Sequence, residues 1–247
     1  MTKLNILSAM EYRLNFFIQV TTMLIHQLSY LLLWLIFFTQ FPSVHGWEFQ
    51  DTALLLAITS INFGMIAIFT GGIFDIARII QHGELDYYLA FPAPVLWHIL
   101  GKKTFIASIG EIIFGVVMYF YSGDLSLYKT GFFLIICLLT SIITFNFIVI
   151  IQSAAFYLRN LEEAATQFVD ALTDFVFYPQ TIFSGALKFI TIFIIPAYFI
   201  GTVPITLLKQ FNGTMFALLI AFAVLSTFLA QFVFSYGLQR YKMGLMK

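Results

Sequence analysis

Three carboxylates sit where so apolar a chain has least use for charge. Glu111 lies seven residues into the apolar run 104–122, and Asp170 and Asp174 are four apart, with Gln167 and Thr173 nearby. An ionised side chain in the middle of a bilayer costs about 3 kcal/mol on insertion scales, so such acids mark a polar path or stay neutral and hydrogen-bonded between helices. Both readings stand for Glu111, which is only about 10 Å from the nearer end of its run. Asp170 and Asp174 share one helix face, four residues being about one turn. They line a substrate path or a dimer interface if that helix crosses the membrane, and are surface charges if it does not.

Other chemistries find no support. His26, Gln27 and Tyr30 cluster on the first apolar run, but His45, His82 and His98 are scattered, and no metal-ligand spacing emerges. An interhelical hydrogen bond accounts for His26. The single cysteine, Cys137, excludes an intrachain disulfide and a thiolate cluster. There is no GxSxG, no HExxH and no His and Asp pair placed to activate a serine, so no enzyme is expected. A phosphate-cradling GxxxxGK[ST] loop is also missing: Gly101-Lys102-Lys103-Thr104 lacks the earlier glycine and heads an apolar run. Any ATP-driven work must draw on another polypeptide.

The elements that carry these residues are membrane helices. Of 247 residues 61% are hydrophobic and 10% charged, with mean hydropathy +0.95, against about a quarter charged in soluble domains. The net charge is zero with no long basic run, which excludes a nucleic-acid partner. Residues 20–41, 53–74, 104–122, 131–157 and 215–236 each approach or exceed the ~20 apolar residues that span ~30 Å of hydrocarbon. The stretch 161–208, interrupted by Pro179, Pro196 and Pro204, supplies one more crossing in either of two ways. Hydropathy places it at 181–203. A capping-box reading starts it at Asn160 with Glu163, ends it near Leu187, and leaves 188–208 as a re-entrant or interfacial hairpin. Six spans put both termini on one side. Lys3, Arg13, Arg78, Lys102, Lys103, Arg159, Arg240, Lys242 and Lys247 then face the cytoplasm, against Lys129 and Lys209 outside.

Two flanking elements are expected. Residues 3–19 carry Leu4, Leu7, Met10, Leu14 and Phe17 at helical spacing, either an interfacial amphipathic helix or an extension of the first span. The loop 75–103 is too structured for a linker. Gly83 breaks the preceding helix, Glu84 and Asp86 suit the positive end of a new one, Phe91 before Pro92 ends it, and Pro94 opens the next. Glu84, Asp86, Tyr87 and Tyr88 would then be available to a partner protein. Ser60 and Gly64 form a small-xxx-small pair suited to close packing on the second span.

Gly83-Glu84-Leu85-Asp86 followed by Leu89 and Pro92, Glu11-Tyr12-Arg13, and the pairs Tyr178-Pro179, Ile182-Phe183, Ile195-Pro196 and Val203-Pro204 resemble the ABC type-2 permease family, in its small integral-membrane branch. The resemblance covers nearly the whole chain. It implies an all-α integral membrane protein of the plasma or inner membrane: six spans, an amino-terminal interfacial helix over 1–19, a cytoplasmic coupling helix in the loop 75–103, and an extracellular re-entrant hairpin over 188–208. It favours the Asn160 start for the fifth span. Gly83, Glu84, Asp86, Tyr87, Leu89 and Pro92 would couple the permease to an ABC ATPase subunit that holds the ATP and magnesium, with a second permease, identical or distinct, completing the transporter. Glu111, Asp170 and Asp174 would border the substrate path or dimer interface. Competing readings are an ion-coupled secondary transporter, disfavoured because the two halves show no internal repeat, and a structural membrane-assembly protein.

Overall fold

In hydrocarbon every backbone amide needs a partner from its own chain, which leaves helices as the economical choice for a sequence built of 20-residue apolar runs. A computed structural model of the protein describes residues 13–44, 46–122 and 126–244. Every extended element among them is helical, the one β pairing being an isolated bridge between Val44 and Trp47. Helix α1 spans Arg13–Gln40. Helix α2 (Phe49–Thr70) continues through a tight turn at Gly71–Asp75 into α3 (Ile76–Gln81). Short helices α4 (Leu85–Leu89) and α5 (Val95–Leu100) precede α6 (Ser108–Tyr121) and α7 (Leu127–Ser153). Then come α8 (Glu162–Val176), α9 (Gly185–Phe189), α10 (Val203–Lys209) and α11 (Gly213–Lys242).

Four described stretches are long and apolar enough to cross a membrane: Arg13–Gln40, Phe49–Gln81, Leu127–Phe156 and Gly213–Lys242. A fifth exists if Gly185–Ile194 and Tyr198–Lys209, which meet at a 76° bend, count as one. The third expected span is helical over 14 residues, about 21 Å, and reaches further through the non-helical lead that starts at Lys103. The amphipathic helix expected over 3–19, with Glu11, lies largely outside the described residues; from Arg13 the helix runs unbroken into the first span.

Helix α2 is the centre of the bundle, buried almost throughout between Asp51 and Ile68. Lipid gives helices no hydrophobic reason to associate, so close backbone approach and interhelical hydrogen bonds carry the packing. A Cβ on Gly64 would lie 2.7 Å from Ile112 and 3.1 Å from the Ser108 carbonyl, and one on Gly115 2.9 Å from the Ala57 carbonyl. The crossing of α2 and α6 is therefore built on glycines from both helices. Gly110 does the same against α1, at 2.7 Å from the Val20 carbonyl. The Asn62 amide donates to Thr144 at 2.9 Å, and Asn146 donates to Ser226 at 3.0 Å and Thr227 at 2.8 Å, fastening α2 to α7 and α7 to α11.

The fifth-span region departs from both expectations. Asn160 does not cap a helix; it sits at φ 55°, a left-handed conformation that asparagine tolerates, and turns the chain after α7. Helix α8 starts at Glu162, whose amide donates to the Gln81 side chain at 3.3 Å, so a neighbouring helix satisfies the amide that a cap would have taken. It ends at Val176, not near Leu187, because the Gln180 amide donates to the Phe175 and Tyr178 carbonyls and Pro179 offers no donor of its own. Nor is 181–203 one helix, since the chain breaks at Ile195–Ala197 around Pro196. The first arm, through Phe189 and Phe193, is exposed, whereas the second buries Ile200, Val203, Ile205 and Leu207 in the core.

Arg13, Arg78, Lys102, Lys103, Arg159, Arg240 and Lys242 gather at one end of the bundle, with Lys129 and Lys209 at the other. At that second end Lys209 meets the buried Asp51 carboxylate at 2.8 Å, locking the end of α10 onto the start of α2. Replacing Lys209 by alanine leaves that carboxylate with the Glu48 amide, 2.9 Å away, but without a cation, and should cost about 1–3 kcal/mol, read as a lower midpoint of thermal unfolding in detergent. The same substitution in an Asp51→Asn background should cost far less; an equal loss in both backgrounds would show that the pair is not the cause.

Candidate functional site

A five-residue helix has no independent stability in water, so α4 exists because its surroundings hold it. Gly83, at φ 73°, reverses the chain after α3, and Glu84 leads into the helix. Leu85 and Tyr88 are buried underneath. Glu84 accepts from Arg78 at 2.6 Å and lies 3.8 Å from the Lys102 ammonium, so it ties the two ends of the loop together. The Asp86 carboxylate faces Tyr241 at the end of α11. The rings of Tyr88 and Phe91 meet His98 edge-on at 5.1 and 4.9 Å, packing α4 against α5. Burial, followed by the Glu84 carboxylate, pushes the Tyr88 hydroxyl above its usual pKa. Beside this, His82 contacts Glu162 at 3.0 Å and the Gln81 amide donates to the Leu158 carbonyl at 3.2 Å, joining α3 to α8.

The surface left outward is aromatic. Tyr87 is 61% exposed, Phe91 42% and Trp97 67%, with Asp86 and Pro92 exposed among them. Tyr88, expected to be available to a partner, faces inward instead, and Glu84 is engaged in ion pairs within the chain while still partly exposed. Leu89 is half-buried against the core beneath the loop. Trp97 was missed because nothing about its position in the sequence marks it as outward-facing. Gly83 has open space around its missing Cβ, so only backbone strain opposes a side chain there. Asparagine at this position should cost least, alanine about 1 kcal/mol and valine more, measured as protection of the loop from limited proteolysis; equal protection in all three would refute the strain.

A cavity of about 370 Å³ opens between α1, α2, α6 and α8. Glu111, only 8% exposed, and Asp170 both line it, with His26 and Gln27 of α1 and Gln152 of α7. The structure thus brings together two of the three expected acids. Asp174 is not among the lining residues; it borders a shallow hollow with Phe175, Tyr178 and Phe183. Asp170 and Asp174 are both exposed, with Glu163 and Gln167 on the same side of α8, a polar stripe opposite the buried Ala165, Val169, Leu172 and Val176. Gln152 was not foreseen. Its side-chain oxygen accepts from the Ala77 amide of α3 at 2.9 Å, so the cavity wall is bonded to the helix that leads into the loop. Phe74 also lines the cavity, from the turn just before α3.

No cluster that could hold a metal occurs among the described residues. No curated protein and no solved structure matches the chain. The family model described as ABC-2 family transporter protein matches residues 24–244, which takes in the central helices, the loop with α4, the cavity and the bent pair before the last span. Proteins of that family are membrane subunits that work with an ABC ATPase. With nearly its whole length inside the match, and with apolar helices long enough to cross the bilayer several times, this chain belongs to the ABC-2 family of transporter proteins as a multi-pass permease of the cell membrane.

Proposed function

We propose that the chain is one permease half of an ATP-driven exporter, and that α4 with its flanks is where the ATPase docks. Both termini and the end bearing Arg78 and Arg240 then face the cytoplasm, the side that carries excess basic charge in membrane proteins. A second permease, identical or distinct, faces the polar stripe of Glu163, Gln167, Asp170 and Asp174, because acidic side chains are costly against lipid. ATP and magnesium stay on the ATPase, and this chain is not itself catalytic.

The observation that carries this reading is how α4 is tied. Its flank Glu84 is paired with Arg78 below the second span and with Lys102 before the third, and Asp86 faces Tyr241 at the end of the last. A push on an exposed Tyr87 or Phe91 therefore reaches three spans at once. From α3 the same push passes through Ala77 to Gln152 in the cavity wall. Closure of two ATPases would supply it, and the substrate would move between the permease halves.

Replacing Glu84 and Asp86 together by alanine cuts these ties and should lower ATP-dependent transport, and with it ATPase co-purification. Proteoliposomes holding the chain with and without its ATPase test the wider reading. Movement of substrate only when ATPase and ATP are both present is expected. Movement by the chain alone on an ion gradient would establish the secondary-transporter alternative instead.

A further inference from the structure

We propose that the cavity between α1, α2, α6 and α8 binds the protonated amine of an amphiphilic substrate, with Glu111, Asp170 and Gln27 as its acceptors. This rests on the exporter reading for the direction of movement, but binding itself needs no ATPase.

The polar groups of the cavity wall define the head group it can take. Gln27 is 1% exposed, lines the cavity, and its Oε1 has no hydrogen-bond partner. A buried acceptor left unpaired is destabilising, so it awaits a donor. Glu111 lines the same cavity beside Ser108, and a carboxylate can accept several hydrogen bonds at once. Asp170 adds a second carboxylate at the exposed rim. The hydroxyls in the wall do not fill these needs: Thr166 donates to the Glu162 carbonyl at 3.0 Å and Thr173 to the Val169 carbonyl at 3.0 Å. The Gln152 oxygen is already taken by Ala77. The wall has donors of its own in the His26 ring and the Gln27 and Gln152 side-chain amides, but its carboxylates have no lysine or arginine beside them in the lining, so the matching ligand brings positive charge along with its N–H groups.

The rest of the lining fixes the remainder of the ligand. Phe63, Phe74, Phe105 and Phe177 make much of the rest of the wall aromatic, a surface that packs on hydrocarbon. Neither lysine nor arginine lines the cavity, and Lys103 beside it is seated 4.2 Å over the Phe105 ring. An anionic head group would meet two carboxylates and no cation. About 370 Å³ lies at the lower end of the range for small-molecule sites, enough for an amine head group and the first part of its apolar body. A primary or secondary ammonium fits better than a quaternary one, which has no N–H to give Gln27.

The test uses the full chain in phosphatidylcholine nanodiscs with radiolabelled dodecylamine as probe. Saturable binding is expected, displaced by unlabelled dodecylamine and not by dodecyl sulfate. Glu111→Gln and Asp170→Asn should each weaken it about tenfold, the worth of one charged hydrogen bond, while Glu48→Gln, exposed at the opposite end of α2, should leave it unchanged. Asp170 is exposed, so its variant keeps the test decisive if the buried Glu111 variant misfolds. Equal displacement by dodecyl sulfate, or full affinity in Asp170→Asn, would overturn the proposal. An ATPase that fails to co-purify while dodecylamine still binds would sink the docking reading and leave this one standing.

Discussion

Alanine at both Tyr87 and Phe91 should reduce co-purification of the ATPase by more than tenfold while leaving the permease itself folded. The two rings are in contact at 5.0 Å and turn outward from a helix whose other face is buried. Exposed aromatics anchored on a rigid support have the character of interface hot spots, each worth about 2 kcal/mol or more when it fills a partner's pocket. The free chain should lose only the edge contact of the half-exposed Phe91 with His98, because neither ring is part of the buried core. Tyr88→Ala makes the contrast. Its ring is buried against His98, so its loss should lower the unfolding midpoint of the free permease, and docking should fall only as far as the loop is disordered. Affinity by pull-down and unfolding by differential scanning separate the two. A Tyr87 and Phe91 double variant with undiminished docking would remove this surface from the interface.

Replacing Gly72 by valine should abolish the folded protein altogether. At the foot of α2 the chain turns through Gly71 and Gly72 while residues 99–105 run alongside, and the Phe105 amide donates to the Ala67 carbonyl at 3.1 Å. A Cβ on Gly72 would overlap the carbonyl of Ile99, and one on Gly71 would come within 2.7 Å of the Lys103 carbonyl. Both obstacles are backbone, which cannot rotate away as a side chain can. Relief requires moving the whole approach to α6, with a cost above the ~1–3 kcal/mol of ordinary overpacking. Gly131→Ala, on α7 with open space around it, is the matched neutral control. Fluorescence-detected size-exclusion chromatography of the two variants should give a monodisperse peak for Gly131→Ala and none for Gly72→Val. A monodisperse Gly72→Val would mean that the tight contact is not needed.

What could be read from the sequence followed the strength of the local signal. The long apolar runs, the break at Gly83, the end of α4 ahead of Pro92 and the opening of α5 after Pro94 rest on composition and on glycine and proline chemistry, and each appears in the structure. The start of α8 was misjudged because the capping rule counts only neighbours in sequence. The amide of Glu162 takes its partner from Gln81, which is distant along the chain. For the same reason the outward placement of Tyr88 failed: periodicity says which residues share a face, and only His98 and the helices beneath decide which face is covered. Glu111 and Asp170 could be singled out as costly acids, but not seen to share a cavity. That meeting depends on how closely α2 and α6 cross, which Gly64 and Gly115 set.

On this reading the exposed face of α4 touches a motor protein. A photo-crosslinking amino acid in place of Tyr87, in membranes containing the permease and its ATPase, tests it most directly. The expected result is a covalent adduct with the ATPase from position 87, and none from the same probe in place of Tyr128 at the opposite end of the bundle. An adduct from position 128 alone, or labelling of position 87 from outside intact cells, would contradict it.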